Sequence, residues 1–250
     1  MDKPKILILG GTGEARRLAS RAVDTFGDAV EIITSQAGVT SAPESVSGRL
    51  VTGGFGGIAG MQHFIEQEGI RLVVDATHAF AATISDNAYI ACMATKTNRI
   101  TLVRPGWEIP GEANVKNVTD MKGAADVLAD IATRVLVTTG RRGLDALSHL
   151  EDLWFLVRLI EQPDGLLPLT RHQVLNDRPP YSLDQERALM VDHQIDALLT
   201  KQSGGDSTYA KIEAAVEAEI PIVLIRRPDL VPGDWTSSVD DCLVWLQSQL

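Results

Sequence analysis

Residues 6–19 read ILILGGTGEARRLA. Lys5–Leu9 has the length and apolar content of a buried strand. Gly10, Gly11, Thr12 and Gly13 make a glycine-rich turn. A helix is expected from about Gly13 to Phe26, because Ala15, Leu18, Ala19, Ala22 and Val23 recur on one helical face. Strand, glycine turn and helix in that order bring backbone N–H groups to a helix N-terminus, where a phosphate binds. The fingerprint G-x-G-x-x-G is incomplete: Gly11 and Gly13 supply its first two glycines, and Arg16 occupies the third place. The stretch predicts a dinucleotide site. The competing reading is a tight turn that needs glycine for a positive φ.

The same alternation continues down the chain. Strands are expected at Val30–Thr34, Arg49–Thr52, Leu72–Asp75 and Ile100–Val103. Helices are expected around Met61, Phe64 and Ile65, and from about Ala82 to Thr95. Prolines, glycines and acidic residues interrupt the pattern across Pro105–Asn117. A second series follows, with strands at Val135–Thr139, Trp154–Ile160, Ala197–Thr200 and Pro221–Ile225. Its helices are expected at Asp120–Thr133, Asp184–Asp192, Ser207–Glu219 and Val239–Gln249. Strands alternating with helices imply βαβ units and parallel sheets. The expected architecture is α/β, with two Rossmann-like domains, mostly parallel sheets and a cleft between them. Residues 1–110 form the nucleotide-binding domain and residues 111–250 the second, substrate-binding one.

Composition removes several functional classes. The chain has 250 residues and a formal net charge of −10, which argues against nucleic-acid binding through bulk positive charge. Cys92 and Cys242 are far apart and outside any CxxC pattern, so neither a disulfide framework nor a metal site is expected. The five histidines lack metal-ligand spacing. No GxSxG, HExxH or P-loop is present. With no signal-peptide pattern and no apolar run near ~18 residues, a soluble cytoplasmic protein is expected. A short-chain dehydrogenase is disfavoured, because Tyr209 and Lys211 are two apart and Tyr89 has no lysine four residues on.

Several segments carry candidate chemistry. ITSQAG (33–38) closes the second strand, where an NAD-selective site carries Asp or Glu. Thr34, Ser35 and Gln36 are neutral and tolerate a 2′-phosphate, and Arg49 lies nearby in sequence, so NADP(H) is favoured. VTGGFGG (51–57) offers Gly53 and Gly54 for close approach by a ligand, or is a plain connector. VVDATHAFAATISDNA (73–88) starts at a strand's carboxyl end and places His78, Ser85 and Asn87 there. In the second half, TTGRRG (138–143) carries Arg141 and Arg142. TKQSGGDSTYAKIEAA (200–215) carries Lys201 and Lys211, with Ser207 as a helix cap. These groups suit an anion site, or are two solvated turns.

Taken together, ILGGTGEARRLA, TSQAG, GRLVTGG, VVDATHAFA with SDNA, LVRPGW, TTGRRGL, LTKQSGGDSTYAKIEAA and IPIVLIRRP resemble the precorrin-6A reductases of cobalamin (vitamin B12) biosynthesis. The resemblance spans nearly the whole chain. It departs at Ala79, where the family often has proline after the histidine. It implies NADPH-dependent reduction of precorrin-6A to precorrin-6B, by an enzyme whose partner is a small-molecule polycarboxylate macrocycle, with no nucleic acid, no membrane and no metal. It places Gly10, Gly11, Thr12, Gly13 and Glu14 along the pyrophosphate, and Thr34, Ser35 and Arg49 by the adenosine ribose. Gly53 and Gly54 join the cofactor set. Thr77 lies near the nicotinamide with His78, the catalytic candidate. Ser85, Asn87, Arg104, Arg141, Lys201, Ser203, Gly204, Gly205, Thr208 and Lys211 are implied to meet the substrate. Two alternatives stay open: a cobalt-precorrin-6A reductase using NADH, and a non-catalytic NADP(H) sensor. The oligomeric state, a monomer included, is also left open.

Overall fold

The computed structural model describes residues 3–36, 46–163 and 165–250. In chain order its elements begin with β1 (Lys5–Leu9), α1 (Gly13–Phe26), β2 (Glu31–Gln36), β3 (Arg49–Thr52), α2 (Gly57–Glu68), β4 (Ile70–Asp75), α3 (Ala82–Thr95) and β5 (Asn98–Leu102). Next come β6 (Val115–Val118), α4 (Met121–Ile131), β7 (Arg134–Val137), β8 (Trp154–Leu159), β9 (His172–Asn176), α5 (Leu183–Asp192), β10 (Ala197–Lys201), α6 (Ala210–Glu217) and β11 (Ile222–Ile225). The last two are β12 (Asp234–Thr236) and α7 (Val239–Gln249). The chain divides into two compact units, residues 1–105 with 228–250, and residues 106–227.

The first unit is a parallel sheet in the order β12-β5-β4-β1-β2-β3. Its central strands are apolar on both faces because helices cover both. Ile6, Ile8, Leu72, Val74, Ile100 and Leu102 point to the face covered by α1 and α7. There they meet Ala15, Leu18, Ala19 and Ala22 of α1 and Cys242, Leu243 and Leu246 of α7. The alternate residues Leu7, Leu9, Ile33 and Val73 point the other way, to Met61 and Ile65 of α2 and to Ala88, Ala91 and Cys92 of α3. Each fully buried leucine or isoleucine contributes roughly 1.5–3 kcal/mol relative to exposure. Both cysteines are buried free thiols. Burial pushes Cys92 up to about 11 and Cys242 up to about 12.

The second unit repeats the plan, with a sheet in the order β6-β11-β10-β7-β8-β9, again parallel throughout. In both sheets five successive strands take the order 3-2-1-4-5. The sixth place, beside the fifth strand, is exchanged. After β5 the chain leaves to supply β6 to the second sheet, and after β11 it returns to supply β12 to the first.

This exchange corrects the expected boundaries. The crossing at residues 105–106 lies a few residues from the expected break at 110, but residues 228–250 belong to the first unit. The reason is pairing and packing. Asp234, Trp235 and Thr236 pair with Ile100, Thr101 and Leu102. The apolar face of α7 covers α1, and Asp240 pairs with Arg21. The expected helix from Ser207 also differs. Asp206–Thr208 is a 3-10 turn that contains Ser207, and α6 starts only at Ala210.

Candidate active site

In the first sheet β1 is central, and the chain leaves it towards β2 and β3 on one side and towards β4 and β5 on the other. That reversal opens a crevice at the carboxyl ends of β1 and β4, the place where ligands bind in open α/β sheets. The Gly10–Gly13 turn lines it. Gly10 N–H donates to the Ser35 carbonyl at 2.8 Å and Ala76 N–H to the Leu9 carbonyl at 3.0 Å. Thr12 caps α1 by accepting from Ala15 N–H at 3.1 Å, and its hydroxyl donates to the Ala76 carbonyl at 2.7 Å. A Cβ on Gly10 would sit 3.0 Å from both the Ser35 carbonyl and Thr34 Cγ2, so the turn can lie this close to β2 only with glycine there. Gly11 has φ +102°, and a Cβ there would meet nothing within 4 Å. A capped 14-residue helix whose N-terminus faces open space beside a bare backbone suits a diphosphate. These residues fit a dinucleotide cofactor.

Glu14, in the first turn of α1, does not present an isolated negative charge. Its carboxylate lies 3.1 Å from Arg17 and 3.1 Å from Arg104. Arg104 follows β5 and is part of the first unit. Thr34 is fully buried with its Oγ1 unpartnered, and Ser35 is buried with its carbonyl holding Gly10. Gly53 N–H donates to the Gln36 carbonyl at 3.0 Å, which brings the Gly53–Gly54 turn beside the end of β2. Ala37 and Gly38 of the ITSQAG segment lie outside the described residues.

Arg49 is corrected. It pairs in parallel register with Ile33, three residues before Gln36, at the amino end of β3. At about 3.3 Å per residue this is the wrong end of the sheet for the nucleotide. Its guanidinium is instead 2.7 Å from Glu68 and 3.4 Å from Glu31. Hydrogen bonds from Arg49 and Lys5 hold the Glu68 carboxyl below its ordinary value.

At the carboxyl ends of β4 and β5 lies an open pocket lined by Asp75, Thr77, His78, Ser85 and Thr101 and by the returning segment Pro228–Val231. Buried Asp75 organises its floor. Asp75 Oδ1 accepts from the Thr77 hydroxyl at 2.7 Å and from Thr77 N–H at 3.2 Å, while Oδ2 is buried and unpartnered. Thr77 Oγ1 lies 3.4 Å from Ser85 Oγ. His78 Nδ1 accepts from Phe80 N–H at 3.2 Å, so the neutral ring carries its proton on Nε2. Thr77, His78 and Ser85 are thus brought together, whereas Asn87 is not among the lining residues. Sequence reasoning missed Asp75, Thr101 and Pro228–Val231. Asp75 stood inside the quoted VVDATH segment and was hidden only by its apolar neighbours.

The second sheet has its own reversal, between β7 and β10. Thr138 Oγ1 donates to Thr200 Oγ1 at 2.9 Å, and Lys201 Nζ donates to the Thr139 carbonyl at 2.9 Å. The exposed Arg141 and Arg142 and the Ser203–Gly205 turn stand at these two strand ends. Thr208 sits in the 3-10 turn that follows. Burial and the nearby Arg142 pull the Lys201 ammonium below its ordinary value. Lys211 does not belong to this group. It is 5 % exposed, with its Nζ 5.0 Å from the Trp107 ring centre. Burial first, and the neighbouring Arg158 second, push it down to about 7. Arg158 itself is paired with buried Glu186 at 2.6 and 2.8 Å. Lys211 is therefore an interior residue, which corrects its assignment to the substrate.

Among the described residues no cluster of His, Cys, Asp or Glu could hold a metal ion, and no helix is long and apolar enough to cross a membrane. Comparison with known proteins gives one consistent result. The family model for Precorrin-6x reductase CbiJ/CobK matches residues 5–247. The Precorrin-6A reductase of Rhodococcus erythropolis is 43 % identical over 238 residues, covering 95 % of this chain and 94 % of its own. The Cobalt-precorrin-6A reductase of Priestia megaterium is 28 % identical over 258 residues, covering 98 % of each. A solved structure of CobK precorrin-6A reductase superposes with a TM-score of 0.90 at 32 % identity, covering 98 % of this chain and 97 % of that one.

Proposed function

The chain belongs to the precorrin-6x reductase family, and from that premise we propose that it reduces precorrin-6A to precorrin-6B with NADPH. The observation that carries the cofactor half is the Gly10–Gly13 turn at the Thr12-capped start of α1, beside a β2 end made of Thr34, Ser35 and Gln36. None of these three is a carboxylate, so nothing in them repels a 2′-phosphate. The bound nicotinamide supplies a hydride. The protein's part is position and field.

In this reading the turn's amides and the α1 N-terminus hold the pyrophosphate, and Arg104 offsets the Glu14 carboxylate beside it. Asp75 fixes Thr77, and Thr77 with Ser85 shapes the wall next to His78. Adding two hydrogens across one double bond needs a proton as well as the hydride. We assign that proton to solvent, with the neutral His78 ring presenting its Nε2–H as a hydrogen-bond donor, because Nδ1 is engaged as an acceptor and loss of the Nε2 proton would leave an imidazolate. Lys201, Arg141 and the Ser203–Gly205 turn take the substrate's carboxylates. Charge-assisted bonds of this kind contribute about 1.5–3 kcal/mol each. The chain's net charge of −10 is no obstacle, since recognition works through local charge.

The test is NADPH absorbance followed with precorrin-6A and, separately, with its cobalt form, each repeated with NADH. Fast oxidation of NADPH by the metal-free substrate is expected. Equal use of NADH removes the 2′-phosphate argument, and preference for the cobalt form replaces the substrate.

A further inference from the structure

Two residues inside the quoted LVRPGW and IPIVLIRRP segments have no role in the account above, yet both grip the same turn. Arg227 Nε donates to the Gln202 carbonyl at 2.6 Å, and its Nη2 donates to the Ser203 carbonyl at 2.8 Å. Trp107 Nε1 donates to the Gly205 carbonyl at 2.8 Å. Three carbonyls of a four-residue turn are thus held by two side chains of the same unit.

The peptide geometry fixes the consequence. In a planar trans peptide the C=O of one residue and the N–H of the next point in opposite directions. With the Ser203 and Gly205 carbonyls held by Arg227 and Trp107, the amides of Gly204 and Asp206 face away from them. The Gly204 amide has no backbone acceptor among the described residues. Gly204 and Gly205 have φ of +71° and +81°, values that glycine adopts without strain, so the turn keeps its backbone bare for close approach. The grip is itself braced. Trp107 is 8 % exposed, packs at 6.3 Å against Tyr209, and lies under the Lys211 ammonium. Tyr209 in turn donates to the Glu108 carbonyl at 2.9 Å, next to Trp107 in the chain.

We propose that Trp107 and Arg227 are positioning residues for the substrate, holding the Gln202–Gly205 turn by its carbonyls so that the Gly204 amide, and the Asp206 amide that follows, are presented to a carboxylate of the macrocycle; the Gln202 and Ser203 amides are already bonded to the Ile225 and Lys201 carbonyls. The inference rests on the proposed function, which puts that carboxylate at this turn.

The experiment uses the full chain and three variants. Trp107→Phe keeps a ring against Lys211 and Tyr209 but removes the Nε1 donor. Arg227→Lys keeps the charge but loses the planar fork whose Nε and Nη2 meet the two carbonyls. Gly204→Ala strains the turn directly. Steady-state kinetics with precorrin-6A, quenching of tryptophan fluorescence by precorrin-6A, and NADPH affinity are measured for each. Loss of one neutral hydrogen bond corresponds to about a five-fold change. The expected result is a rise in substrate KM and Kd of about five-fold or more in Trp107→Phe and in Arg227→Lys, with kcat and NADPH affinity within two-fold. Arg227→Met is expected to be worse than Arg227→Lys. A purely structural role would lower the active fraction without moving KM. If Gly204→Ala weakens substrate binding and the other variants do not, the turn binds substrate unaided and the inference is overturned alone. If wild-type protein neither binds nor reduces precorrin-6A, the proposed function falls and takes the inference with it. Should Trp107→Phe fail to fold, Arg227→Lys decides.

Discussion

The Thr12 hydroxyl donates to the Ala76 carbonyl at 2.7 Å while accepting from Ala15 N–H at 3.1 Å. One side chain therefore caps α1 and ties the glycine turn after β1 to the end of β4. Replacing it with valine keeps the shape and removes both bonds. A lost N-cap costs about 0.5–2 kcal/mol, and the Ala76 acceptor loses its side-chain donor. Thr12→Val is expected to lower Tm and to weaken NADPH binding, whereas Thr12→Ser retains most of both. Thermal melts and a fluorescence titration check this.

Gly11 separates conformation from space. A side chain there would strike no protein atom, but φ of +102° strains any β-branched residue. In the proposed site that open space is where the pyrophosphate sits. Gly11→Val is expected to raise the NADPH Kd at least ten-fold, more than the Tm loss alone would suggest. Unchanged affinity, measured by titration, removes the turn from the cofactor site.

Arg49 gives the opposite expectation. Because it sits at the amino end of β3 with Glu31 and Glu68, Arg49→Gln should leave the ratio of kcat/KM for NADPH to that for NADH within two-fold of wild type. A collapse of that ratio would bring Arg49 back to the 2′-phosphate.

Lys211 predicts a pH dependence of stability. Its folded value is about 7, against 10.5 for an ordinary lysine. Below pH 7 both states carry the proton and the folded state bears the whole cost of a buried ammonium, on the order of 5 kcal/mol. From pH 7 to 10.5 the unfolded chain binds more protons than the folded one, so this group's penalty shrinks as pH rises. Lys211→Met is therefore expected to be more stable than wild type, by about 1–4 kcal/mol at pH 6. The advantage should fade towards pH 10. Paired denaturant melts across that range measure the difference.

The central strands were legible because strands covered on both faces are continuous apolar runs: ILIL in β1, LVV in β4, IVLI in β11. β6 (VKNV), β9 (HQVLN) and β12 (DWT) escaped because they are edge strands, short and partly exposed, where no apolar run is needed. The glycine turn, Thr77, His78 and Ser85 could be found because strand ends and turns are local in sequence. Arg49 misled because nearness in sequence to Gly53 says nothing about which end of a parallel strand a residue occupies. Lys211 misled because α6 is buried over most of its surface, including Ala210, Ile212, Ala214 and Ala215, so its polarity did not mark a wet face. Trp107 and Arg227 act through backbone carbonyls, which carry no side-chain signature.

The exchanged sixth strands also set an order of assembly. During synthesis β5 leaves the ribosome long before β12, with residues 103–233 in between. Until that last piece arrives, the nascent first unit carries β5 as an open edge, and the apolar stripe of α1 waits for Cys242, Leu243 and Leu246. The second unit lacks nothing once β11 is made. The half of the protein that begins folding first is thus the half that finishes last, and the helix that follows the Gly10–Gly13 turn, made at the start of translation, gains its full packing only when the final helix docks.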